Sequence, residues 1–203
     1  ILNSVYGNSG KIAGYIQYCR SQGIKVLPPD MNRSGWKFTV QHDTDGRLCI
    51  LFGLGAVKTV GQGAVNAIIR ERQNSPFKDI FDFCARIDTT ECNKRVVESL
   101  IKAGAFDSLG RSRAQLYRVF EAAIDGAHSI SKTTANGQLD ITGLMSGEDL
   151  ANTLPKINYP DVAEFSMKEL LLFERDVLGL CFSGHILDSY EMHLSTLKRR
   201  EIS

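Results

Sequence analysis

The chain has 203 residues, 43% of them hydrophobic and 23% charged, an ordinary composition for a globular protein long enough to bury a core. Its 24 basic and 23 acidic residues leave a formal net charge of +1, which excludes a uniformly basic nucleic-acid coat and a polyacidic tail. No apolar run approaches the ~18 residues of a membrane span. No secretory signal stands at the front, and an opening Ile1-Leu2-Asn3 without a Met reads as a piece of something longer.

In chain order, Ile12, Tyr15, Ile16 and Cys19 mark the apolar face of a helix stopped at Gly23. Residues 24–27 are a short β-like run ended by Pro28-Pro29-Asp30. Trp36, Phe38 and Val40 alternate with polar residues at the strand period, and Leu48 to Phe52 returns, so 36–52 is expected to be a β-hairpin with Asp45-Gly46 at its tip. Helical spacing then predominates to about residue 128. One helix is expected over Ala64–Arg72. Another starts at an Asn93 N-cap, buries Val96, Val97, Leu100 and Ile101, and stops at Gly104. A longer helix covers Arg113–Ala127 with Leu116, Val119, Phe120, Ala123 and Ile124 as its inner stripe. Residues 128–165 hold no period and read as an extended linker. Ser166–Val177 is helical and leads into a strand-like run over Leu178–His185. The expected fold is mostly α with a small β-hairpin: a tandem helix-hairpin-helix, an extended linker and a further helix.

The densest motif is Gly53-Leu54-Gly55-Ala56-Val57-Lys58-Thr59-Val60-Gly61-Gln62-Gly63-Ala64. It is not a P-loop, because Val57 and not Gly precedes Lys58-Thr59, and it lacks the spacing and βαβ context of a dinucleotide fingerprint. It does fit a helix-hairpin-helix, with a short helix over Ala56–Thr59, a turn at Val60–Gly63 and a second helix from Ala64. In that arrangement the amides of Gly61, Gly63 and Ala64 point at a phosphate, with Lys58, Arg70 and Arg72 supplying charge. Such a contact reads the nucleic-acid backbone and not its bases. A glycine-rich packing turn is the alternative. Residues 93–123 repeat the pattern around Ala103-Gly104-Ala105-Phe106, flanked by Lys94, Arg95, Lys102, Arg111 and Arg113. Charge follows the same division: residues 55–120 carry 11 Lys/Arg against seven acids, whereas 138–176 carry three against eight.

No catalytic or metal-binding constellation stands out. Asp43 and Asp45 share a turn closed by Gly46, where Asp is favoured for its own backbone hydrogen bonds. His42, His128, His185 and His193 lack a partner at motif spacing, and Cys19, Cys49, Cys84, Cys92 and Cys181 form no C-x-x-C and read as free thiols of a reducing cytoplasm. Gln138-Leu139-Asp140-Ile141, in the polar linker, has the character of a peptide that docks into a partner's groove.

Several blocks occur in series: Val26-Leu27-Pro28-Pro29-Asp30-Met31-Asn32, Phe52-Gly53-Leu54-Gly55-Ala56-Val57-Lys58, Phe81-Asp82-Phe83-Cys84, Asn93-Lys94-Arg95-Val96, Ala103-Gly104-Ala105-Phe106-Asp107 and Ser183-Gly184-His185. Together they resemble the C-family of bacterial replicative polymerases, the DNA polymerase III alpha subunits, along essentially the whole chain. The resemblance implies the end of a fingers domain over residues 1–52, a tandem helix-hairpin-helix region over 53–128, a linker over 129–165 and a lead-in to an OB-fold over 166–203. It implies duplex DNA as partner, contacted through Lys58, Gly61, Gly63, Ala64, Arg70, Lys94, Arg95, Gly104, Arg111 and Arg113. It further implies a sliding clamp (the beta subunit) held through Gln138, Leu139, Asp140 and Ile141, although Ile141 and Thr142 stand where the family carries an aromatic. Other holoenzyme subunits would be partners, the location cytoplasmic, and no membrane involved. The Mg²⁺-dependent nucleotidyltransferase chemistry of such a protein resides in palm carboxylates that nothing here matches, so no catalytic, metal or cofactor residue is expected in this piece. A protein-interaction scaffold whose hairpins serve only packing is the rival reading.

Overall fold

A computed structural model describes residues 1–43, 45–88, 90–135 and 158–184, with the backbone alone for 128–135. Helix α1 (Ser9–Ser21) starts where Asn8 accepts a hydrogen bond from the Lys11 amide, and it buries Ile12 and Ile16. Three short strands follow, β1 (Lys25–Leu27), β2 (Thr39–His42) and β3 (Leu48–Leu51), in the spatial order β1-β3-β2. The expected β-hairpin is the antiparallel β2–β3 pair, in the register Thr39↔Leu51 to His42↔Leu48. Strand β1 joins β3 in parallel, pairing Val26 with Ile50.

The hairpin strands are shorter than the alternation at 36–40 suggested. Phe38 makes both of its backbone hydrogen bonds to the side chain of Asn3, and Trp36 gives its carbonyl to Tyr6 and to the Gly55 amide. Those partners remove both residues from the ladder. Val40, expected on the buried face, is 68% exposed.

The helical part comprises α2 (Gln62–Asn74), α3 (Ile80–Arg86), α4 (Lys94–Lys102), α5 (Arg113–Ala135) and α6 (Met167–Leu178). Asn93 caps α4 as its sequence position suggested, accepting from the Val96 amide. Burying Val96, Val97, Leu100 and Ile101 from this one helix contributes roughly 1.5–3 kcal/mol per side chain. Helix α5 continues to Ala135, past the expected end at residue 127. The segment 158–166 has no regular structure yet packs tightly: Tyr159 lies against Phe81, and Phe165 against Tyr117 and Phe173. The strand-like run after α6 is corrected too. Gly179 adopts a left-handed conformation, and the Glu174 carboxylate takes the amides of Phe182 and Ser183, so 179–184 folds back as a turn.

One hydrophobic core runs through all of this, from Ile12 of α1 to Leu178 of α6. At its centre Phe83 stands edge-on to both Phe77 and Phe106, each with ring centroids 5.1 Å apart. Polar ties reinforce the join between the loop after β1 and the helices. The Met31 amide donates to Ala105, Asn32 brackets the backbone of Phe77, and Arg72 donates to the carbonyls of Met31 and Ser34.

Candidate nucleic-acid interface

The glycines of the 53–64 run divide into two kinds. A Cβ on Gly55 would lie 2.3 Å from the Trp36 ring, and one on Gly53 would lie 2.5 Å from the Trp36 carbonyl oxygen. These two are glycine because Trp36 presses on the backbone, so for them the packing alternative is right. At Gly61 and Gly63 a Cβ would meet nothing within 4 Å. Their openness is toward solvent, where a ligand can approach.

Between the two pairs the turn differs from its expected form. The first arm is a single 3-10 turn over Leu54–Ala56, and Thr59, not a glycine, carries the left-handed backbone at φ +72°. The Thr59 hydroxyl donates to Ser99 of α4 at 2.7 Å, and the Lys58 amide donates to the Val177 carbonyl of α6 at 2.8 Å. The turn is thereby fastened on two sides.

Helix α2 begins at Gln62 with Gly61 as N-cap. No side chain caps it, and among the described residues the amides of Gln62, Gly63 and Ala64 have no acceptor. Each of the other five α-helices among the described residues is closed by a side chain: Asn8 for α1, Asp79 for α3, Asn93 for α4, Ser112 for α5 and Ser166 for α6. Three N–H groups thus stand at the positive end of the helix dipole, with Gln62 and Gly63 exposed, Ala64 buried, and the exposed Lys58 four residues before Gln62. Gln62 was missed because the helix starts two residues before Ala64, which makes Gly61 the cap and Gln62 the first donor.

The second hairpin has the expected α4–turn–α5 layout, with Gly104 at φ +76°. Arg113 and Gly104 are not surface groups there, and this corrects their assignment to DNA contact. Arg113 is 5% exposed. It donates from Nε and Nη2 to Asp107, and from Nη1 to Glu174 at 2.9 Å and to the Lys102 carbonyl. Its guanidinium fills the space beside Gly104, where a Cβ would come within 2.2 Å of Nη2. The end of α5 is closed as well. Glu164 accepts from the amides of Arg113 and Ala114 at 2.8 and 2.9 Å, while Ser112 and Gln115 exchange hydrogen bonds across the first turn. Glu164 comes from some 50 residues downstream, and no local signal announces it.

The remaining expected cations are exposed. Lys58 pairs with Asp176 at 3.2 Å and Lys94 with Asp125 at 2.9 Å. Arg70 pairs with Glu71 and Glu91 and lies two turns from Gln62, about 12 Å along the helix axis. Arg111 stacks on the Tyr159 ring at 4.5 Å, and Arg95 is exposed on the first turn of α4. Arg72 is half-buried, holding the Met31–Ser34 loop. Gln138, Leu139, Asp140 and Ile141 lie outside the described residues. Asp43 is a turn residue as expected, accepting from the amides of Asp45 and Arg47 and pairing with Lys25 at 3.1 Å. Among the described residues no group of three His, Cys, Asp or Glu could hold a metal ion, and no helix is long and apolar enough to cross a membrane.

Residues 23–116, which contain the sheet, the open α2 terminus and the second hairpin turn, match the helix-hairpin-helix motif family. The whole chain is similar to the DNA polymerase III subunit alpha of Pseudomonas fluorescens, at 37% identity over 100% of this chain and 18% of that protein. The Mycobacterium tuberculosis DNA polymerase III subunit alpha is 42% identical over 93% of this chain and 16% of its own length. That of Vibrio cholerae is 38% identical over 96% and 16%. The chain thus spans less than a fifth of the length of these relatives.

Proposed function

We propose that this chain, homologous along its whole length to part of the DNA polymerase III alpha subunits, holds duplex DNA by sequence-independent contact between a backbone phosphate and the first hairpin. One observation carries the reading: α2 alone among the described α-helices has an N-terminus that no side chain closes, and it lies between two open glycines. A phosphate oxygen there would accept from the amides of Gln62, Gly63 and Ala64, with roughly half a positive charge from the helix dipole behind them. Lys58 adds a full charge. Its pairing with Asp176 is between two exposed groups and so costs little to exchange for a phosphate. Lys94, Arg95 and Arg111 are further exposed cations for longer-range attraction.

The parent protein's role follows in the same reading: DNA-directed DNA synthesis in bacterial replication, with Mg²⁺ as cofactor. Among the described residues no cluster of carboxylates fits that ion. Attachment to a sliding clamp through Gln138–Ile141 belongs to the proposal, as do contacts with other replicase subunits and a cytoplasmic location.

The test is an electrophoretic shift with duplex DNA across a salt titration, comparing the wild type with Gln62→Pro. Proline suits the first helical position, and Gly61 already holds the extended conformation (φ −88°, ψ 167°) that a following proline requires. The variant loses one amide donor and keeps its helix. We expect affinity to fall about tenfold, ~1.4 kcal/mol, within the range for a charge-assisted hydrogen bond. Equal affinity for wild type and variant would refute the contact. A packing role is favoured at Gly53 and Gly55 by the press of Trp36, and for the second hairpin by the internal closure of α5.

A further inference from the structure

We infer that the two hairpins have unequal roles: the first contacts DNA, and the second is closed by the chain's own Glu164, which stands where a backbone phosphate would and clasps the segment 158–166 to the helices. This rests on the proposed phosphate contact of the first hairpin.

The contrast lies in the two helix ends. At α2 three amides are without an acceptor. At α5 every comparable group is engaged internally: the amides of Arg113 and Ala114 by the two oxygens of Glu164, the Gln115 amide by Ser112 Oγ and the Ser112 amide by Gln115 Oε1. A carboxylate with one oxygen on each of two successive amides occupies the donors that a phosphate would use. The basic side chain nearest that end is also withdrawn, because Arg113 is buried between Asp107 and Glu174.

Glu164 does not act alone in holding its segment. Tyr159 packs on Phe81, with Arg111 stacked on its ring. The Pro160 carbonyl accepts from the Gln115 side chain, and Phe165 stands edge-on to Tyr117 and Phe173. These contacts on either side of Glu164 lay the segment across the start of α5 and lead it directly into α6. The clasp therefore fixes where the chain returns to the hairpins after residue 135, and a DNA strand reaching α5 would have to displace a carboxylate already in place.

Two variants and two readouts decide the matter. Hydrogen exchange follows the amides of Arg113 and Ala114, and a salt titration with a 20-base-pair duplex gives affinity and slope. In Glu164→Ala the two amides should exchange at least tenfold faster, with and without duplex, while duplex affinity stays within twofold and the salt slope is unchanged. Glu164→Gln, which keeps one acceptor oxygen, should fall between wild type and Ala in exchange. Tighter binding with a steeper salt slope in Glu164→Ala, or duplex-induced protection of the freed amides, would show a masked DNA site and overturn the clasp. Slow exchange persisting in Glu164→Ala would overturn it equally. Failure of the first-hairpin reading is separable, because it is reported by unchanged duplex affinity in Gln62→Pro.

Discussion

Thr59 and Ser99 share a hydroxyl–hydroxyl hydrogen bond of 2.7 Å that ties the turn of the first hairpin to the first helix of the second. Thr59 is also the one non-glycine with positive φ among the described residues, and a β-branched side chain is strained there. The tie and the strain predict an order of stabilities. Thr59→Val keeps the strain and leaves the buried Ser99 hydroxyl without its donor, a loss of ~1–2 kcal/mol. Thr59→Gly loses the same bond but relieves the backbone, so it should unfold at higher urea than Thr59→Val. The reverse order would mean that the turn is unstrained.

Gly55 and Gly63 should respond oppositely to one methyl group. Gly55→Ala forces Trp36 off the backbone and should cost ~1–3 kcal/mol of stability, as overpacking does. Gly63→Ala has open space and gains helix propensity, so stability should hold or rise by up to ~1 kcal/mol. The new methyl stands among the open amides, and duplex binding should weaken several-fold. Denaturant melts and a duplex titration on both variants check the pair.

Lys58 and Arg70 were grouped by sequence but differ in place. Lys58→Ala should lower the slope of log affinity against log salt by about 0.9, one phosphate's worth of counterion. Arg70→Ala should change it by much less, because Arg70 lies far along α2 and is engaged by Glu71 and Glu91. Equal slopes for the two variants would argue against contact at the α2 terminus.

Arg113 and Glu174 form a buried ion pair, with side-chain exposures of 6% and 0%. In Glu174→Gln the Arg113 guanidinium keeps its pairing with Asp107, so the loss of the charge-assisted bond should destabilise the protein by ~1–3 kcal/mol. The Arg113→Met variant should likewise lose stability. At temperatures where it remains folded, its salt slope for duplex binding should match the wild type.

Glu98 is held below its ordinary value of 4.5 first by the hydrogen bond from Lys102, then by that from Tyr117. A lowered carboxylate contributes stability that is complete above the unfolded value and lost as pH falls through the folded one. Glu98→Gln should therefore melt below the wild type at pH 7, with the difference shrinking toward pH 3. A difference in melting temperature that stays constant with pH would remove this account.

The parts legible in the sequence are those whose causes are local. Asn93 is followed by an apolar helical stripe, and it caps α4. Asp43 precedes a turn, and its carboxylate binds the turn's amides. Arg113 and Arg111 look alike in a basic stretch, and only partners 6 and 61 residues away bury the first. Gly55 and Gly63 are the same letter in one motif, and only the position of Trp36 separates packing from openness. The parallel pairing of β1 with β3, like the Glu164 clasp, depends on segments that meet only after folding.

Trp36 is the only tryptophan in the chain, and its ring lies against Gly55, between the sheet's approach and the first hairpin. Intrinsic indole emission is therefore a single-site optical reporter of that seam. A duplex titration followed at tryptophan wavelengths observes whether the sheet and the turn of the first hairpin move as one body, without any label being introduced.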